Sequence, residues 1–532
     1  MNKNYLPLYF AFAIVLGILI GSFFNGGASS GNLFASKSAN EVKLKRLIDY
    51  IQKDYVDSIN TDNLLDGAIT QILGKLDPHS VYIPKENLQQ VTENMQGNFV
   101  GIGVQFRMIK DSITVIQPIK GGPSIKAGIK AGDRILMANK DTLHGKKLNS
   151  NGVPKYLKGE PNTNVDLQVY RKTNDSLFTV TLTRGKVAIK SVDVSYMVND
   201  SIGYIKLERF ARTSYREFKT ALNKLQGKGM TDLVLDLRGN GGGYIDIANK
   251  IADEFLEDGK LIVFTKDNKG NVDESFSTTK GNFEKGGLYI LIDQNSASAS
   301  EIVAGALQDN DRGTTIGRRS FGKGLVQEEK DLGDGSAIRL TIARYYTPTG
   351  RSIQKPYEKG KGKSYSRDIN NRINNGELLN KDSIKVVDSL QFKTPRGKIV
   401  YGGGGIIPDV FVAVDTTSYL NNFYFNTIQN FAFDLVDNNR KEFTEMTLDN
   451  FIKSYNIDTA YTSYLKQINS RLSDTRRRLN NRYQPSEKSR NIIKQYLKAT
   501  IANQIYGDEG FYRIIQSDDK MILKVLELET TN

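Results

Sequence analysis

The amino-acid sequence predicts an α/β protein with a β-rich domain inserted ahead of its core and helical segments at both ends. Three observations carry this. Residues 190–415 alternate apolar strands, glycine-containing turns and amphipathic helices, the texture of an α/β domain. Residues 99–183 hold short strand-like runs bounded by Gly, Asn or Asp. Residues 41–96, and the chain from about 416 onward, show apolar side chains at helical spacing. With 532 residues the chain has room for about three or four domains. Its 39% hydrophobic content supplies ordinary globular cores and excludes the disordered and fibrous classes.

Taken in order, residues 5–24 are apolar and uncharged, about the length that crosses a bilayer as a helix. Lys3 precedes them and no lysine recurs until Lys37, which puts the N-terminus in the cytoplasm and the rest outside. The expectation is an uncleaved anchor in the inner membrane of a bacterial cell, facing the periplasm. A cleaved signal peptide with export is the alternative. A Gly/Ser-rich spacer follows, so 1–35 form an anchor or signal segment. Residues 36–96 form an N-terminal helical segment, with Leu44, Leu47, Ile48 and Ile51 and then Leu65, Ile69, Ile72 and Leu73 at helical spacing. That pattern breaks at Pro78 in LDPHSVYIP.

Residues 97–186 carry the β-rich domain. Gly101-Ile102-Gly103-Val104 opens one strand, and Ala127-Gly128-Ile129-Lys130-Ala131-Gly132-Asp133 precedes another. Together, at this spacing, they resemble a PDZ domain. A loop of this kind exposes consecutive backbone N–H groups that can hold a peptide's terminal carboxylate, while the peptide adds as a strand to the sheet edge. The same fold used only as a spacer is the plainer alternative. Residues 187–415 form the α/β core, within which 355–395, polar and basic with scattered Gly and Asn, read as a partly flexible insertion loop. Residues 416–532 form a C-terminal helical domain without recognisable chemistry, a candidate surface for an adaptor or for self-association.

Composition narrows the chemistry. There is no cysteine, hence no disulfide framework and no thiol nucleophile. The two histidines, His79 and His144, cannot form an HExxH zinc site, and no metal is expected. His79 lies in a turn and reads as structural, and His144 lies in a loop of the β-rich domain. Neither accompanies a serine-elbow motif, which speaks against a Ser-His-Asp triad. The net charge is +14, but the basic residues are scattered. The densest run, Arg476, Arg477 and Arg478 followed by Arg482, reads as a solvated helix face, and no nucleic-acid-binding motif accompanies it.

Two segments carry the chemistry. Ser296-Ala297-Ser298-Ala299-Ser300-Glu301 lies between an apolar strand and a helix. A serine there sits at a helix N-terminus, where free N–H groups and the dipole stabilise negative charge. That suits an acyl-transfer nucleophile, although Ser and Asn are also ordinary caps. Lys323 lies 25 residues after Ser298, between Gly322 and Gly324. An ordinary lysine, with a pKa of about 10.4, is neutral in roughly one molecule in a thousand near neutral pH. Burial lowers that pKa and makes lysine a usable base. A phosphate-cradling Walker loop requires Ser or Thr after the lysine, and Gly324 stands there.

These segments are similar to those of the C-terminal processing (tail-specific) peptidase family. The resemblance covers LDPHSVYIP, the PDZ-like segment, the signature Asp236-Leu237-Arg238-Gly239-Asn240-Gly241-Gly242-Gly243, SASASE, FGKG, and Gly404-Gly405-Ile406-Ile407-Pro408-Asp409, spanning roughly residues 41–415. It implies a crotonase-like core related to the Clp peptidase fold. It implies Ser298 as nucleophile, Lys323 as general base and Gln327 as the residue that orients the lysine. The glycine backbone at Gly242 or Gly243 supplies one oxyanion donor and the Ala299 N–H the other. No cofactor is required. The resemblance further implies envelope proteins with apolar, flexible C-termini as substrates, for processing or degradation. Residues 355–395 and the C-terminal domain depart from the simplest family members. Two rival functions remain on this reading: a PDZ scaffold that binds tails without cutting, and another acyl-transfer enzyme on the same core.

Overall fold

A computed structural model of the chain describes residues 12, 14–16, 38–145, 148–416, 420, 422–475 and 485–531. The chain divides into two compact units, Met1–Gln71 and Ile72–Asn532. In the first, helix Ala39–Asp54 starts at Ser38, whose side chain accepts from the Glu41 N–H. Most of the expected anchor lies outside the described residues; Phe12, Ile14, Val15 and Leu16 are helical. No helix among the described residues is long and apolar enough to cross a membrane. The Arg476–Arg478 and Arg482 run also lies outside the described residues.

The second unit is built on a six-stranded sheet in the order Val192–Met197, Ile202–Leu207, Asp232–Asp236, Leu288–Ile292, Thr314–Gly317, Val410–Phe411. The first pair is antiparallel and all later pairs are parallel. Leu288–Ile292 is buried along its whole length, as a strand covered on both faces requires. On one face Ile205, Leu235 and Ile290 pack with Phe218, Ile251 and Val303 of the helices Ser214–Gln226, Ile245–Asp253 and Ala299–Asp309. On the other, Tyr204, Val234 and Leu291 pack with Met521, Ile522 and Val525. Those last residues belong to helix Lys520–Thr531. The end of the expected C-terminal domain is thus a layer of the core.

A second sheet lies beside the first, in the order Val81–Ile83, Ala337–Tyr346, Leu261–Asp267, Val272–Phe276, with Leu325–Asp331 also paired to Ala337–Tyr346. The PDZ-like domain enters and leaves through strands Asn98–Gly101 and Gly185–Ala188, which pair antiparallel. Its sheet runs Val104–Ile109, Ser112–Pro118, Arg134–Ala138, Asn164–Arg171, Ser176–Thr183 around Ile113, Val115, Ile135 and Val169.

Residues 355–395 correct the expectation of a flexible loop. They form helices Gly362–Ser366 and Asp368–Asn374, and Lys355, Tyr365, Arg372, Glu377 and Leu378 are buried. Polar composition misleads here because the charges are consumed in buried ion pairs, Lys355–Asp368 at 3.1 Å and Arg319–Glu377 at 2.6 Å. The C-terminal helices Asn422–Asn438, Asp458–Thr475 and Glu487–Tyr506 have their own core around Ile428, Phe451, Tyr464, Ile493 and Leu497.

Candidate active site

Three loops leave the carboxyl ends of neighbouring parallel strands, where open α/β sheets gather their ligands. The first follows Asp232–Asp236. Asp236 accepts from the Arg238 N–H (2.8 Å) and from Tyr204 Oη (2.6 Å). Burial alone would raise its pKa, but Arg238 and Lys206 hold it well below the usual carboxylate range. Asn240 Nδ2 donates to Leu207 O (2.8 Å), and the Gly242 N–H donates to Asn240 Oδ1 (2.9 Å). Phe210 bonds to the Gly242 carbonyl (3.1 Å) and to the Tyr244 N–H (2.8 Å), which turns the Gly243 N–H away from it. No acceptor meets that N–H among the described residues.

The second loop carries Ser298. Its backbone has φ +57° and ψ −115°, a strained conformation for a residue with a side chain, costing about 1–3 kcal/mol. Strain of that kind persists where neighbours over-determine it, and the neighbours are visible. Glu301 Oε2 accepts from the Ser298 N–H (2.9 Å) and Tyr345 Oη donates to Ser298 O (3.1 Å). Ser298 caps helix Ala299–Asp309, and the Ala299 N–H meets no acceptor among the described residues. Gly242 passes so close that a Cβ there would lie 2.8 Å from Ser298 Cβ.

The third loop carries Lys323, and Glu301 ties it to the second. Glu301 is fully buried and accepts from Ser320 Oγ (2.5 Å), the Gly322 N–H (2.7 Å) and the Lys323 N–H (2.9 Å). Burial raises its pKa, against the pull of those donors. The single Tyr345 Oη proton is shared between Ser298 O and the nearer Lys323 O (2.6 Å). The Lys323 ammonium is pushed down to about 8, first by burial and then by the nearby Arg339 guanidinium, with Glu301 and Asp77 opposing.

Ser298, Lys323, Gln327, Gly242 and Gly243 line one cavity of about 380 Å³. Arg339, Glu329 and Ile302 line it too. Ser298 Oγ and Lys323 Nζ share this space without a hydrogen bond between them. Gln327 does not bond to Lys323 either. Its Nε2 donates to Thr341 Oγ1 (3.4 Å), which donates to Asp77 Oδ1 (3.1 Å). His79 Nε2 meets Tyr365 Oη at 2.8 Å, and burial, then Lys323, lowers its pKa to about 4. His144 is exposed. No cluster of metal-binding side chains occurs among the described residues.

Gly101, Ile102, Gly103 and Val104 lie away from this cavity. Ile102 O accepts from Ser124 N–H (2.9 Å) and Oγ (2.6 Å), and Gly103 has φ +76°, so the loop is fixed against the Gly121-Gly122 turn. Among the described residues strand Val104–Ile109 pairs only with Ser112–Pro118, which leaves its other edge without a strand partner there. Sequence reasoning missed Glu301, Tyr345 and Arg339. Glu301 was accessible, since Ser298-x-x-Glu301 has capping-box spacing. The other two come from a strand that only the fold brings near.

Residues 201–360 match peptidase family S41, 100–182 the PDZ domain, 28–87 the activating protease CtpB N-terminal domain, and 419–507 a family of unknown function. A carboxy-terminal-processing protease of Bartonella bacilliformis is 37% identical over 313 residues, 58% of this chain and 71% of that protein. The carboxy-terminal processing protease CtpB of Bacillus subtilis is 33% identical over 59% of this chain and 65% of its own. A probable CtpA-like serine protease of Staphylococcus aureus is 35% identical over 59% of this chain, which spans 63% of it. Among solved structures, a photosystem II D1 C-terminal processing protease is 26% identical, covers 70% of this chain and 86% of its own, and has a TM-score of 0.36. The chain belongs to the carboxy-terminal processing proteases, serine-type peptidases of family S41.

Proposed function

We propose that the protein is an endopeptidase that takes up protein C-termini in its PDZ domain and cleaves them through a Ser298/Lys323 acyl-enzyme. One observation carries the reading. The strained Ser298, a lysine with a lowered pKa and Gly243 line one cavity, and Ala299 opens the helix that Ser298 caps.

An apolar, flexible substrate tail adds to the open edge of Val104–Ile109, its carboxylate held by the loop Gly101–Val104. Neutral Lys323 takes the Ser298 hydroxyl proton as Oγ bonds to the scissile carbonyl carbon. The oxyanion is stabilised by the Ala299 N–H and by Gly243, preferred to Gly242, whose N–H is engaged by Asn240. The C–N bond then breaks and the Lys323 ammonium protonates the leaving amine. Water attacks the acyl-enzyme, giving a proton to Lys323. The C–Oγ bond breaks and Ser298 recovers its proton. Gln327 orients Lys323 once it leaves Thr341, and no cofactor takes part. The core is of the crotonase/Clp-peptidase kind, and the enzyme works in the bacterial envelope on envelope proteins. Tail binding brings Ser298 and Lys323 into hydrogen-bonding contact.

The test incubates the full chain with an unfolded protein ending in an apolar tail and identifies products by mass spectrometry. Wild type cuts, and Ser298→Ala and Lys323→Ala do not. Equal cutting by all three removes the dyad. Tail binding without cutting by wild type turns the protein into a scaffold.

A further inference from the structure

Residues 355–395 touch the loop of Lys323 directly on the near side of the lysine and through Gln354 on the far side. Arg372, on helix Asp368–Asn374, is 2% exposed. Its guanidinium donates to three consecutive carbonyls just before Gly322, those of Arg319 (3.4 Å), Ser320 (2.7 Å) and Phe321 (3.2 Å). A buried guanidinium is tolerated only when its donors and charge are matched. Here Asp368, 2.9 Å from Nε, and Glu377, 3.9 Å from it, balance the charge, while the Nε–H itself finds no hydrogen-bond partner among the described residues. Glu377 also grips Arg319 with two contacts of 2.6 Å.

Beyond Lys323 the second grip begins. The Gly324 N–H donates to Gln354 Oε1 (2.8 Å), and Gln354 Nε2 donates to Tyr365 Oη (3.3 Å). The Tyr365 proton is thereby free for His79 Nε2, 2.8 Å away. With a pKa near 4, His79 is neutral at neutral pH and accepts it. The Tyr365 ring stands edge-on to His79 and Phe321, at 5.1 and 6.0 Å between centroids.

We propose that segment 355–395 is a clamp that sets the position of Lys323, with Arg372 and Tyr365 as its positioning residues. The proposal rests on Lys323 being the general base. The clamp fixes where the amine stands relative to Ser298 and keeps water from its loop. A segment of mere cover would contribute stability alone.

The experiment compares full-chain Tyr365→Phe, Arg372→Lys and Arg372→Met with wild type and Lys323→Ala. Folded active fraction, kcat, KM and the pH profile are measured on a tail-bearing substrate. Misplacing a catalytic group by about 1 Å costs up to roughly a hundredfold, so kcat falls by about ten- to a hundredfold while KM holds. Arg372→Lys keeps a charge at the carbonyls and recovers part of the loss. The acid limb moves up from about 8, because a looser loop admits water to the amine. Lys323 faces Arg339, Glu301, Asp77 and His79, all retained in the variants; Tyr365→Phe removes the hydroxyl that meets His79, so a shift reports the loop when Arg372→Met shows it too. Tyr365→Phe keeps the ring and its packing, and carries the test even if Arg372→Met does not fold. A kcat within about twofold of wild type and an unmoved limb in folded Tyr365→Phe overturn the clamp and leave the dyad intact. Full activity of Lys323→Ala overturns both.

Discussion

With Lys323 as the proposed general base, its titration governs the pH behaviour of the site. A base must be neutral before it can take a proton, and a pKa near 8 leaves about a tenth of the molecules neutral at pH 7. We expect kcat/KM to rise as pH passes through about 8 and to level above it. A profile flat between pH 6 and 9, measured on the folded enzyme, would remove lysine as the base. The same shift has a stability sign. The folded-state pKa lies below the ordinary 10.5, so between about 8 and 10.5 the unfolded chain holds the extra proton. The cost of the buried ammonium is full below about 8 and vanishes above 10.5. Lys323→Met, of similar volume and uncharged, should be inactive yet more stable at pH 7 by up to an order of 3 kcal/mol, a gain absent near pH 11. Urea unfolding at the two pH values measures it.

At the scale of elements, the setting of Ser298 depends on how closely a glycine loop meets a helix N-terminus. Gly242 has φ +99°, and a Cβ added there would lie 2.7 Å from Ala297 O and 2.9 Å from Ala299 N. Both are backbone atoms, so neither yields cheaply. Gly242→Ala should push the loop from Ser298 and lower kcat about a hundredfold, with tail binding to the PDZ domain unchanged. Anisotropy of a labelled tail peptide separates the two readouts, and unimpaired kcat would show that the loop adjusts freely. Much of this was legible in the sequence. SASASE after an apolar strand announced a strand-to-helix turn, and the glycines around Lys323 announced close backbone approach. Arg339 was not legible, because its place opposite Glu329 is set by strand register. Nor was the packing of 355–395, where composition reads as solvent-exposed although Arg372 and Glu377 are buried partners of the Lys323 loop. The amphipathic helix Lys520–Thr531 showed an apolar face but not that the back of the main sheet covers it.

For the molecule as a whole, the C-terminal helices connect the PDZ domain to the catalytic core. Phe433, on helix Asn422–Asn438, packs on Ile109 and Ile116 of the PDZ sheet. Ile116 alternates with the inward Val115, so this contact lies on the sheet face opposite the domain's own core. Asp437 of the same helix accepts from Arg134 (2.7 Å) and pairs with Lys172 and Arg440 (3.5 Å each). Burial alone would raise its pKa, but these cations lower it. Its contribution is therefore present above the usual carboxylate range and lost as pH falls through the depressed folded value. At the other end, Asp519 pairs with Arg238 (2.6 Å) in the glycine loop beside Ser298. The C-terminal helices thus touch both the PDZ domain and the glycine loop beside Ser298. Asp437→Ala leaves three cations facing an apolar seam, a loss of about 2 kcal/mol or more across that interface. We expect faster hydrogen exchange at Ser112–Pro118 and Asn422–Asn438 together, by about tenfold or more, while helix Ala299–Asp309 keeps its protection. Faster exchange confined to Asn422–Asn438 would mean that Phe433 and its isoleucine partners hold the PDZ domain without the ion pairs. Unchanged exchange at both segments would mean that Asp437 contributes nothing net to the interface, its pairing offset by its own desolvation.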